Sequence, residues 1–431
     1  NGTLDAVTLA TSITESGTLN IKNTVTLANG TTFDTGSNTV FFSSSNATIA
    51  AAGTATLLKS GGNLSTNGNF TSIIGAGVTV QGYGALTNGG YGAAAWQNDG
   101  IIDANVAGQG FTLGNTTFSN MAGARIKIAS GASVNLTATT FNQSGLIQIA
   151  GGTLTRTGGS LTNASGATLS GYGTLNLGSF TLINNGTITV GDAGTATLGL
   201  LSLSGNFTQG AGGTLNMDIG GQFRGTNYDA LDVLGAATLG GTLTAVHLNG
   251  FAASASEAFH FIRANTLSGT FSTVTQPGPY TAFYGGANMV LGVGLTGITE
   301  WNTNSSGTWG TAGNWSNGVP TGTKVAIIDR QAGSPIITVD STGGAASAAA
   351  VSSWEPLTIA TASSGLPANG AFSVRELIGN TRQRADALNG RLAVTATLPG
   401  AGVALWRLCP LGDVDNTCAV DVVDVQTVAR F

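Results

Sequence analysis

The stretch GLIQIAGGTLTRTGGSLTNAS, residues 145–165, decides the fold. Leu146, Ile147 and Ile149, then Leu154, then Leu161 are apolar, with Thr, Ser and Gly between them. No 3.6-residue stripe runs through it, so it reads as strand sequence rather than helix. The same style recurs on a beat. Gly30, Gly53, Gly75, Gly100, Gly123, Gly145, Gly166 and Gly186 open short alternating runs at intervals of 20 to 25 residues. Asn98, Asn120, Asn142, Asn163, Asn185 and Asn206 recur at intervals of 21 or 22.

A fixed period of this size marks a stacked repeat. One such unit cannot bury its apolar face alone and must stack on the next. Coils then rise by one strand spacing, ~4.8 Å, and equivalent residues form ladders. A turn that needs φ > 0 needs it in every coil, which makes Gly recur. Asn tolerates the same backbone and can pass amide hydrogen bonds up a stack. The expectation is an all-β chain, a right-handed parallel β-helix (β-solenoid) of about 22 residues per coil over residues 1–296, with the six asparagines as a structural ladder.

Composition fits an exported protein without a nucleic-acid role. Charged residues are 8% of the chain and glycines number 67. A net charge of −5 disfavours nucleic acid and anionic membranes as partners. No apolar run reaches the ~18 residues of a membrane span. The sequence begins with Asn rather than Met and carries no signal peptide, as expected of a processed or truncated start. Charge divides the chain into 1–300 at net −4, 301–408 at +2 and 409–431 at −3.

Later sequence departs from the simple beat. GYG at Gly82 and again at Gly171 opens two similar segments. Tyr228, Asp229, Val233, Gly235, Ala237, Leu239, Gly241, Leu243, Gly269 and Phe271 form a pattern that resembles the final coils of bacterial autotransporter passengers and related surface proteins. That resemblance implies a closing solenoid over residues 1–296, and leaves activity open. Trp301, Trp309, Trp315, Gly318, Pro320 and Asp329 resemble a Trp-rich repeat of secreted bacterial surface proteins, implying a smaller β module over 297–408. The three tryptophans read either as a carbohydrate platform or as core staples, and the staple is the stronger reading.

The segment 409–431 resembles a partial dockerin type I repeat, an EF-hand-like calcium loop and helix. The resemblance implies one Ca²⁺ held by Asp413, Asp415, Thr417, Asp421 and Asp424, with the Ala419 carbonyl, because calcium takes six to eight hard oxygens at this spacing. Thr417 and Cys418 depart from the usual Asp/Asn and Gly. Cys409 and Cys418 flank the start of the loop, and export favours a disulfide between them; zinc is the lesser reading.

Signals for enzymatic chemistry are sparse. His247 and His260 sit in strand-like runs, where a structural role is expected. Asp99 and Asp103 on one coil, with Arg125 and Lys127 on the next, form the one candidate polar patch. No amphipathic capping helix precedes Gly2, so an uncapped end is expected to pair with another copy, and a head-to-tail contact that does not close gives a filament. The reading is a non-enzymatic extracellular surface protein, a stalk, adhesin or fibre subunit that self-associates. The alternative is a carbohydrate-binding or polysaccharide-degrading solenoid tethered through its dockerin-like tail, with a surface polysaccharide as partner.

Overall fold

The structure, a computed structural model, describes residues 2–328 apart from 157, 193–196, 256 and 303–304. Beyond 328 it describes the strands 336–338, 350–353, 358–360, 370–376, 382–388, 391–393 and 406–410. Two compact units emerge. The first comprises Asn1–Asp218, Asp229–Val246 and Ala264–Thr275; the second comprises Ile219–Tyr228, His247–Arg263 and Gln276–Phe431.

The fold is an all-β parallel β-solenoid of about 13 turns. In the first unit a typical coil contributes three short strands, such as Thr117–Asn120, Arg125–Ile128 and Ser133–Leu136. Each pairs in parallel with its counterpart in the next coil, as Thr117↔Thr140, Arg125↔Leu146 and Ser133↔Thr153 do. Side chains alternate inward and outward along each strand, because successive Cβ atoms point to opposite faces.

The inward positions build continuous apolar columns. One runs Phe33, Leu57, Val80, Ile102, Ile126, Ile147, Leu169, Ile188 and Leu215, each the register partner of the one before. None is more than 1% exposed. A second column runs Phe111, Val134, Leu154, Leu175, Leu203 and Val233. A third holds Trp96, Phe118 and Phe141, with the last two stacked at 5.9 Å. Burying each such side chain contributes roughly 1.5–3 kcal/mol.

The beat of glycines reflects backbone crowding as much as turn geometry. A Cβ on Gly145 would lie 2.4 Å from the Met121 carbonyl oxygen of the coil before. The GYG echo has its own cause. Gly82 and Gly171 hold φ of +113° and +130°, and a Cβ there would sit 1.9 and 1.8 Å from a carbonyl oxygen, of Lys59 and Ile149 respectively. Both lie inside long strands, Val78–Asn88 and Thr168–Asn184, that carry the chain round a corner without a break. Coil length also departs from the even 22 residues expected. Thr187↔Thr214 and Thr242↔Thr273 span 27 and 31 residues, because loops are inserted outside the paired strands.

In the second unit, residues Ala258 to Arg263 of the strand Ala258–Gly269 run antiparallel to Asn288–Val293, from Ala258↔Gly292 to Arg263↔Asn288. Tyr280–Tyr284 pairs antiparallel with the other edge of Asn288–Val293. Gly297–Glu300, Lys324–Ile328 and Ala350–Ser353 then pair in parallel. Later strands, such as 370–376 with 382–388, pair antiparallel. Among the described residues the helical content is one 3₁₀ turn, Ala312–Asn314, and no helix is long and apolar enough to cross a membrane.

Candidate functional site

A buried column of side-chain amides runs up one corner of the first unit. Asn98 Nδ2 donates to Asn120 Oδ1 at 2.9 Å, and Asn120 Nδ2 donates to Gln143 Oε1 at 2.8 Å. Asn163 Nδ2 donates to Asn184 Oδ1, and Asn184 Nδ2 to Gln209 Oε1, both at 2.9 Å. The six residues are at most 3% exposed. Gln143 Nε2 leaves the column and donates to the Gly145 carbonyl at 2.8 Å. The column thus falls into two runs with the same order, Asn, Asn, Gln.

Asn98, Asn120 and Asn163 are where the sequence places the ladder. Asn142, Asn185 and Asn206 are not in it. Asn142 is exposed and donates to Ser119 Oγ at 3.0 Å. Asn185 is exposed one residue past Asn184. Asn206 faces outward, donating to the Ser179 carbonyl and accepting from the Ala236 amide. A one-residue error in phase moves a side chain to the opposite face of a strand. The signal that would have found Gln143, Asn184 and Gln209 is an apolar residue two positions earlier: Trp96, Phe118, Phe141, Leu161, Leu182 and Phe207 each precede a ladder amide in this way.

The candidate charged patch lies on the outer side. Asp103 and Lys127 are register partners, and Gln148 follows Lys127. Gln148 Nε2 in turn donates to Asp192 Oδ1. Arg125 is exposed and pairs in register with Ile101, two positions from Asp103. Asp99 sits apart, on the turn after the strand Ala95–Asn98, and accepts from Gln97 Nε2 at 2.8 Å. The patch is an outward polar row, Asp103–Lys127–Gln148, rather than a convergent set of four charges.

Among the described residues the first unit buries Lys59, Arg156, Asp229 and Asp232, and burial moves the titration of Asp229 and Lys59 furthest. Asp229 is fully buried; its two carboxylate oxygens accept from the Gly199 and Asp218 amides, each at 2.8 Å. Burial pushes this carboxyl up to about 8, against the pull of the two amides, and the nearby Asp218 charge adds to the rise. Lys59 is the second, 1% exposed, with its Nζ 2.7 Å from the Asn38 carbonyl oxygen. Burial brings its ammonium down to about 8, while Glu15 and Asp34 oppose the fall.

The second unit settles the tryptophans. Trp301, Trp309 and Trp315 are 1%, 6% and 2% exposed and form one cluster with Ala326, Ile328 and Ile337. Their rings meet edge to face at 5.0 and 4.9 Å. Trp315 Nε1 donates to the Trp309 carbonyl at 2.8 Å. They are core and offer no platform. His260 is buried and bonds through Nε2 to Asn288 Oδ1 at 2.7 Å; Asn288 Nδ2 donates to Glu300 Oε1 at 2.7 Å. Burial, with the charges of Arg224 and Arg263, holds His260 well below the usual imidazole range. His247 bonds to the Tyr280 hydroxyl, whose ionisation burial pushes up to about 12.

Cys409 falls within strand Trp406–Pro410. Cys418 and the expected calcium ligands Asp413, Asp415, Thr417, Ala419, Asp421 and Asp424 lie outside the described residues. Among the described residues no group of three or more His, Cys, Asp or Glu side chains is placed to hold a metal. No protein-family model matches the chain, and a search of curated proteins finds no match.

Proposed function

We propose that the chain is a non-enzymatic structural protein of the cell exterior, a rigid surface stalk, adhesin or fibre subunit built on a right-handed solenoid. The observation that carries this reading is the unbroken interior. Nine successive coils share one apolar column from Phe33 to Leu215, and a buried amide column fixes the register beside it. A stack so filled has little freedom to bend between coils. A low density of charge leaves little repulsion between copies, which suits head-to-tail assembly. The dockerin-like tail is read as a calcium-stabilised element outside the solenoid.

Electron microscopy of the native material tests this reading. Filaments or stalks with a regular axial repeat support it, and dispersed monomers at all concentrations would overturn the fibre form. The outward row Asp103–Lys127–Gln148 supports a second reading, a surface that holds a polysaccharide chain. Binding to a glycan panel that disappears in Asp103→Ala with Lys127→Ala would favour it.

A further inference from the structure

Lys59 occupies an inward position of strand Ala55–Thr66, among apolar neighbours in the alternation. Its ammonium reaches one coil back, and the acceptor it meets is a neutral main-chain oxygen, that of Asn38, at 2.7 Å. A buried charge with so weak a partner is costly. Asn38 in turn leans on the coil before: its Nδ2 donates to the Glu15 carbonyl at 3.1 Å. Glu15 keeps one carboxylate oxygen on the Gly17 amide, while Oε2 is buried without a hydrogen-bond partner. Three consecutive coils therefore bring an amine, a carboxamide and an under-used carboxylate to one corner.

These are the parts that amide transfer needs. The amine must be neutral to act as a nucleophile, and burial already favours that form of Lys59. A carboxylate must carry protons, and water must be kept out. We propose that Lys59 and Asn38 are joined by a self-catalysed isopeptide bond, with Glu15 as the proton carrier. The Lys59 ammonium gives a proton to Glu15, and Nζ attacks the Asn38 side-chain carbonyl carbon. The tetrahedral adduct collapses by breaking the bond from that carbon to Nδ2. The nitrogen takes the proton that Glu15 held together with the second proton of the attacking amine and leaves as an ammonium ion, which returns Glu15 to its carboxylate form. The products are one secondary amide and one ammonium ion, with no oxidant or cofactor. A covalent tie between neighbouring coils would resist their separation directly.

Intact-mass spectrometry of the purified, folded chain is the test. The expected result is a mass below that of the sequence by one ammonia, with no tryptic cleavage after Lys59, so that residues 23–125 appear as one fragment lighter by one ammonia whose tandem mass spectrum shows no backbone breaks between Asn38 and Lys59. Lys59→Met and Lys59→Arg should restore the full mass. Glu15→Gln keeps both partners and should also remain unlinked, which guards against a lysine variant that fails to fold. A folded parent at full sequence mass overturns the proposal. So does an ammonia loss that persists in Lys59→Arg, which would mark succinimide formation elsewhere, or a linkage that maps to Asp34 with loss of water.

Discussion

Asn98 and Asn120, 22 residues apart in sequence, share a buried hydrogen bond of 2.9 Å, and Asn120 hands the next one to Gln143. Asn120 is thus donor and acceptor at once. Asn120→Leu would leave Asn98 Nδ2 with the Arg125 carbonyl alone, at 3.3 Å, and would remove the donor that Gln143 Oε1 has inside the solenoid. Each unmade bond costs about 1–3 kcal/mol, so the loss should be about 2–5 kcal/mol. Asn142→Ala, on the exposed side of the neighbouring strand, should stay within about 0.5 kcal/mol. Urea unfolding of both variants checks the pair; equal losses would mean the column is not a stabilising unit.

Asp229 should make stability depend on pH. Its carboxyl titrates near 8 in the fold against about 4 in the unfolded chain. The folded state therefore favours the protonated group. That contribution is complete below pH 4 and is lost as pH rises from about 4 to about 8. Asp229→Asn should flatten this part of the profile while losing one acceptor for the Gly199 or Asp218 amide. Melting temperature measured across that window decides it; an unchanged slope in the variant would assign the dependence to another group.

Gly171→Ala should be far more harmful than Gly158→Ala. The new methyl at 171 would lie 1.8 Å from the Ile149 carbonyl oxygen on a backbone with φ of +130°, whereas position 158 has open space. Strain and overpacking together should cost about 3 kcal/mol or more at 171. Circular dichroism melts would show the contrast, and similar melts would argue that the corner can shift to admit a side chain.

Trp315→Ala should destabilise the second unit by about 3–5 kcal/mol, since the ring is 2% exposed between Trp301 and Trp309. Trp315→Ala should leave the glycan-panel profile of the parent unchanged at a temperature where the variant stays folded. A selective loss of glycan affinity in a folded variant would return the tryptophans to the surface role.

For the acidic tail, the proposed calcium site predicts protection. Limited proteolysis near residue 420 should accelerate when EGTA removes the ion, with the solenoid left intact. Four carboxylates within twelve residues, Asp413, Asp415, Asp421 and Asp424, repel one another without a cation between them. Identical cleavage with and without calcium would remove the site.

The stacked-coil fold was legible in the sequence because a ladder repeats its demand in every coil. Gly145 and the GYG corners at Gly82 and Gly171 are crowded by the coil beneath, so the requirement prints itself as a period. The phase of the amide column was harder to read. Counting asparagines alone picked Asn142 over Gln143 and Asn185 over Asn184, because period says nothing about which face a residue takes. Asn and Gln are also interchangeable in the column, as both carry one amide donor and one acceptor. Lys59 was not legible at all: its partners Asn38 and Glu15 belong to different coils, and no spacing rule links the three.

The amide column also constrains how such a chain can change length. Its ends are bounded by Ile74, the register partner of Asn98, and by Leu239, which follows Thr238 as Gln209 follows its register partner Thr208, and every inter-amide bond points the same way along the stack. A duplication that adds one whole coil with an apolar residue two places before its amide would slot into this column and leave both ends as they are. Insertion or deletion of a single residue within a strand such as Thr117–Asn120 would turn the amide to solvent and a neighbour inward. Variation among natural versions of this protein should therefore come in coil-sized steps along the paired strands, with single-residue indels confined to the loops between them.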